Sequence, residues 1–307
     1  MKRVSGLVFI GCLTFSTSLF AQGDAPPADP AAGGEAPAGE APAADPAAPD
    51  PNAAPVTDGA PMAEEAPPPP AGGSVTLKKG GVNIQANIEI NMSKEAVGKP
   101  FSIAPDVSYG VSDDLTLTLA HSNAALTGFR GGTGAGICVA GAENGCFTEY
   151  TAVGAEALYS VAKGPMALGV GGGLIFQAPL EDGRAFSVKV GAKGKYTAGK
   201  VVVSFAPSIW IGLTERDAGN KELLWIPVGV GFKATPELMV GAATGFKAPL
   251  DPIGDAWTIP IGVNGNYAVS PQIGVGASFT FGKIAGAEPT NAGADSRALH
   301  LWLNYNM

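Results

Sequence analysis

Few residues in this 307-residue chain have versatile chemistry: two histidines, His121 and His300, and three cysteines, Cys12, Cys138 and Cys146. Cys138 and Cys146 stand eight positions apart with no histidine nearby, which makes a poor metal site, because structural zinc asks for four nitrogen or sulfur ligands. In an oxidising compartment the expected state of the two is a disulfide, bracing its short loop by roughly 2 to 3 kcal/mol. No paired-carboxylate site appears, and the abundant glycines lie in extended segments with no following helix, so none forms a phosphate-cradling loop. The sequence argues against an enzyme and calls for no metal or cofactor. What remains is a set of ionisable residues, Glu89, Asp106, Glu156, Lys189 and Lys193, whose meaning depends on the elements that carry them.

Those elements are strands. Val82, Ile84, Ala86, Ile88, Ile90 and Met92 alternate with Asn83, Gln85, Asn87, Glu89 and Asn91, a period of two that gives one greasy and one wet face. The same period recurs along the chain and predicts about twelve strands, at 82–92, 101–110, 113–122, 149–161, 165–176, 185–197, 200–212, 222–233, 237–247, 256–267, 271–282 and 297–306. Short connections at 111–112, 162–164, 198–199, 234–236 and 269–270 alternate with long ones, the longest at 123–148. An extra hairpin hidden in that loop would raise the count to fourteen. Before each short turn stands an aromatic residue of the greasy parity, Tyr109, Tyr159, Tyr196, Phe232 and Tyr267, with Tyr305 in the equivalent place near the C-terminus. The chain therefore repeats a two-strand unit of about 36 residues.

The N-terminal quarter is different. Residues 1–21 carry a basic start and a largely apolar stretch ending in Ala21, as a cleavable signal peptide does; the alternative places lipidation at Cys12. Residues 22–73 hold nine acids, no bases and fourteen of the 26 prolines, too little apolar surface to form a core. They are expected to form a disordered linker, reaching on the order of 160 Å if fully extended at about 3.1 Å per residue. The absence of bases there excludes nucleic acid as a partner. Residues 74–307 carry a net charge of only −1.

Ten- to thirteen-residue alternating strands, long and short connections at opposite ends and an aromatic ring on one rim resemble the outer-membrane β-barrel class over residues 82–307. The resemblance implies an all-β fold, a closed antiparallel transmembrane barrel over residues 74–307, with lipid as its partner and the outer membrane of a Gram-negative bacterium as its place. Closure follows because an open sheet edge in hydrocarbon leaves backbone groups unpaired. One departure is the C-terminal Tyr305-Asn306-Met307, where the class usually ends in Phe. Outer-membrane phospholipases in this class place a serine two residues after a histidine on the same exterior face. Here Ser122 is adjacent to His121, so alternation sends the two side chains to opposite faces and the match fails.

With the apolar parity toward lipid, Glu89, Asp106 and Asp114 face inward in the first third of the ring, Glu156 follows, and Lys189 and Lys193 face inward in the middle. His300 joins them on the last strand. One expectation is a narrow aqueous pore with a transverse field, a porin-like channel for ions or small polar solutes. The other is a plugged lumen in which these acids and lysines pair. A further alternative is a non-enzymatic anchor in an envelope-spanning machine for motility, secretion or polysaccharide export, with residues 22–73 as a periplasmic tether to the cell wall or another envelope protein.

Overall fold

The structure is a computed structural model, and it describes residues 73–93, 101–130, 136–139, 150–180, 182–251, 253, 256–287 and 296–307. The signal peptide and all but the last residue of the linker lie outside the described residues.

Among the described residues fourteen strands are present: β1 (Val82–Asn91), β2 (Phe101–Gly110), β3 (Leu115–Ala120), β4 (Ile137–Cys138), β5 (Ala152–Ala162), β6 (Met166–Gln177), β7 (Ala185–Ala198), β8 (Val201–Phe205), β9 (Ser208–Gly212), β10 (Leu223–Lys233), β11 (Leu238–Pro249), β12 (Thr258–Ala268), β13 (Ile273–Gly286) and β14 (Arg297–Asn306). Every pairing is antiparallel, and β1 pairs both β2 and β14, so the sheet closes on itself. The wall has twelve strands, because two of them are assembled from pieces. Pro207 has no N–H to give to the ladder and divides one wall strand into β8 and β9, both of which lie between β7 and β10. The second composite strand is β3 followed by β4. Both pair with β2, at different heights, with Val107 opposite Leu119 and Ile103 opposite Ile137.

That composite corrects the reading of 113–122 as one uninterrupted strand followed by an outer loop. Continuing the two registers puts His121 opposite Pro105 and Gly136 opposite Ala104. The wall therefore runs from His121 to Gly136, and residues 122–130 leave the sheet and enter the barrel. Gly136 makes the return: its φ is +68°, and a Cβ there would lie 2.6 Å from the Ile103 carbonyl oxygen.

The turns show how local sequence sets the register. Val111-Ser112-Asp113-Asp114-Leu115, Ala234-Thr235-Pro236-Glu237-Leu238 and Val269-Ser270-Pro271-Gln272-Ile273 share one design. In each, the hydroxyl accepts a hydrogen bond from the backbone N–H of the aliphatic residue three positions on, at 3.1, 3.0 and 3.0 Å. Asp114 belongs to the first of these turns and pairs with Lys163 at 2.7 Å on the surface, not with the lumen.

Alternation divides the side chains as the period requires. Outward positions such as Ile103, Leu117, Val170, Val190, Val230 and Val263 are exposed around the ring, an apolar exterior that only hydrocarbon would cover. Strands of 10 to 14 residues are long enough to cross a bilayer when tilted. Inward positions such as Asn83, Gln85, Asn87, Ser102, Thr280 and Asn304 are buried and polar.

Candidate functional site: the occupied lumen

The segment that leaves the wall after His121 folds into a single helical turn, α1 (Asn123–Thr127), inside the barrel. Ser122 caps it, its hydroxyl accepting from the Ala125 N–H at 3.0 Å, and Gly128 ends it in the left-handed region at φ +82°. Two of the inward carboxylates hold its start. Asp106 accepts from the N–H groups of His121 and Ser122 at 2.8 and 2.9 Å and from the Ser122 hydroxyl at 2.5 Å. Glu89 accepts from the backbone N–H and side-chain amide of Asn123, both at 2.9 Å. Anionic acceptors shorten and strengthen such bonds, so five charge-assisted contacts fix the plug to β1 and β2.

Beyond the helix the plug is apolar. Leu126 and Phe129 form a buried cluster with Ala120, Ala152, Ile175, Trp210 and Trp225 of the wall, and the two tryptophans stack with ring centroids 5.8 Å apart. Arg130 then lies over Trp302, its guanidinium carbon 3.7 Å from the ring centroid. It donates to the Asn87 side-chain oxygen at 3.3 Å, while its carbonyl accepts from the Thr280 hydroxyl. Trp302 also covers Gly276, where a Cβ would collide with the indole. This is the placement of a large ring over a strand glycine that stabilises curved sheets.

Below the plug lies a polar tier. Lys189 donates to the Leu126 carbonyl at the end of α1 at 2.6 Å and pairs with Glu156 at 2.7 Å across β6. Lys193 sits two inward positions further toward the short turns and faces the same cavity, whose volume is about 90 Å³. Residues 74–77 line the cavity from beneath, at the short-turn mouth. Thr76 is buried there and donates to the Asp113 carbonyl at 3.0 Å, Leu77 donates its N–H to the Thr116 hydroxyl at 2.8 Å, and the Gly73 carbonyl accepts from the Gly164 N–H at 3.3 Å.

The five ionisable residues singled out in the sequence therefore occupy two places. Glu89 and Asp106 meet at the start of α1, with His300 fully buried and its Nδ1 4.0 Å from Glu89. Glu156, Lys189 and Lys193 meet in the cavity. The expected field between separated acids and lysines is reduced, because the Glu156–Lys189 pair neutralises itself. The six rim aromatics, Tyr109, Tyr159, Tyr196, Phe232, Tyr267 and Tyr305, lie on the outer face at the short-turn end, each 38 to 52% exposed. Cys138 is disulfide-bonded, and Cys146 lies outside the described residues. His121 stacks on Tyr150, with centroids 5.9 Å apart, and its Nδ1 lies 2.6 Å from the Pro105 carbonyl oxygen, while Ser122 turns to Asp106.

Sequence reasoning allowed for a plugged lumen but missed the segment that fills it. Its signal was present in Leu126 and Phe129, two large apolar residues three positions apart in a supposed outer loop, directly after the Ser-Asn start of a capped helical turn.

Neither a protein-family model nor a curated protein sequence matches the chain. Solved structures do resemble it. A KdgM porin aligns at 8% identity and TM-score 0.46 over 73% of this chain and 98% of its own. A NanC porin aligns at 9% identity and TM-score 0.48 over the same shares. An outer-membrane channel from Pseudomonas putida F1 aligns at 13% identity and TM-score 0.45 over 79% of this chain and all of its own. The barrel fold rests on the closed ring and apolar exterior described above.

Proposed function

We propose that this protein is a porin-like outer-membrane channel through which ions or small polar solutes diffuse passively, with its conducting path narrowed by the α1 plug. The carrying observation is the combination of an apolar exterior and a continuous polar inner face in one closed ring of twelve strands. A ring of this size leaves only a narrow interior once its side chains are counted, so a single helical turn is enough to restrict it.

The test is single-channel conductance of the folded mature protein in a planar bilayer, compared with a variant lacking residues 122–135. Because His121 and Gly136 fall on successive wall positions, that deletion leaves the third wall strand continuous. Discrete steps that grow severalfold in the deletion support the channel. A deletion variant that inserts as a folded barrel yet stays electrically silent sinks it.

A second reading, that of an envelope anchor, is favoured by one observation. Gly73, the last residue of the acidic segment, is held at the short-turn end, the side that is periplasmic in bacterial barrels of this kind. Under that reading, removing residues 22–72 abolishes recovery of periplasmic partners in a pull-down. Under the channel reading, the same truncation leaves conductance unchanged.

A further inference from the structure

The cavity between α1 and the residue 73–79 segment contains a lysine that no carboxylate contacts directly. Lys189 has a partner in Glu156 and a second acceptor in the Leu126 carbonyl. Lys193, which lines the same cavity, makes neither a hydrogen bond nor an ion pair among the described residues. An ammonium group partly withdrawn from water is costly to hold unless an anion accompanies it.

A second, independent group borders the same space. Ser208 is 3% exposed, and its hydroxyl is buried without a hydrogen-bond partner. On the sheet Ser208 is paired with Gly191 of β7, the inward position between Lys189 and Lys193. Gly191 cannot carry a side chain without a shift, because a Cβ would lie 2.5 Å from the Pro207 carbonyl oxygen and 2.8 Å from the Ser208 Cβ. The result is a niche with a lysine above, a lysine below and a hydroxyl donor at the side.

We infer that this niche binds a small oxyanion, a carboxylate or a phosphate group, with Lys193 and Ser208 as its principal donors and Lys189 as a shared one. Charge sets the sign: two ammonium groups against the single carboxylate of Glu156 leave the niche positive and disfavour cations. The volume sets the size. At roughly 15 Å³ for each water-sized position, about 90 Å³ holds on the order of six waters, room for a phosphate group or a two- to three-carbon carboxylate but not an oligosaccharide. The inference deepens the channel reading by naming a solute class and rests on it only for the idea that the anion passes through.

Calorimetric titration of the detergent-folded mature barrel with inorganic phosphate, and separately with acetate, tests it. Saturable binding of either probe is expected, with the preferred probe identifying the anion's chemistry. Lys193→Gln should weaken binding at least tenfold, Ser208→Ala about threefold, and Lys193→Arg less than threefold, while Lys221→Gln on an outer loop should leave it unchanged. Gel mobility confirms that each variant is a folded barrel. The inference is overturned if the folded wild type binds neither probe, or if Lys193→Gln and Lys193→Arg both bind as wild type does. Binding in a barrel that stays electrically silent sinks the channel reading and leaves the anion site standing, whereas conduction without binding does the reverse.

Discussion

The carboxylates of Glu89 and Asp106 are more than lining. Each accepts hydrogen bonds from the first residues of the plug, and neutral isosteres keep the shape while weakening bonds that are worth about 1.5 to 3 kcal/mol each to a charged acceptor and about 0.5 to 1.5 to a neutral one. Asp106→Asn and Glu89→Gln, alone and together, are expected to loosen α1 without opening the wall. The measurement is open-channel noise and mean conductance, both rising in the double variant more than in either single one. The outer loop between β9 and β10 offers a separate titration. Arg216 grips Glu222 through two bonds of 2.7 and 3.1 Å and also donates to the Gly212 carbonyl at 2.6 Å. The Arg216 hydrogen bonds hold the Glu222 carboxyl below its usual value of 4.5. A depressed carboxylate pKa means the clamp is present above the unfolded value and is lost as pH falls through the folded one. Proteolysis of residues 213–222 should therefore be slow at neutral pH and accelerate only below about pH 4.5, and Glu222→Gln should remove that pH dependence.

At the scale of elements, the return of the chain to the wall depends on Gly136. Its positive φ and the nearby Ile103 carbonyl oxygen leave no room for a side chain, so Gly136→Ala is expected to cost about 1 to 3 kcal/mol, read as a lower midpoint in urea unfolding in detergent. Gly199, at φ +57° in the open β7–β8 turn with nothing within 4 Å of a Cβ, should lose only about 1 kcal/mol on the same change. Strands, turns and rim were legible in the residues themselves. The period of two, the Ser or Thr at the start of three turns and the aromatic residue before each short connection are local patterns, and local sterics and hydrogen bonding enforce them. The composite third strand was not legible. Two residues, Ile137 and Cys138, are too short to show a period, and only pairing with Ser102 and Ile103 makes them a strand.

For the whole molecule, the outer face must meet lipid and the inner face must not. Val190 lies midway along β7 and is 56% exposed on the exterior, so Val190→Arg should destabilise the barrel in a bilayer by about 2 to 4 kcal/mol. Ser187→Thr on the inner face of the same strand should change it by well under half of that. Reversible unfolding from lipid vesicles measures both, and equal effects would refute the assignment of faces.

By itself, the sequence determined the ring. Alternation is written residue by residue, one wet and one greasy face cannot coexist with an open edge in hydrocarbon, and length then sets the number of strands. What fills the ring was decided only by tertiary structure. Asn123 meets Glu89 34 positions away, Lys189 meets Leu126 63 positions away, and Arg130 meets Trp302 172 positions along the chain. No window of sequence contains both partners of such a contact. The same inward parity serves an empty pore or an occupied one, and closure of the barrel is the event that brings a loop, two carboxylates and two tryptophans to one place.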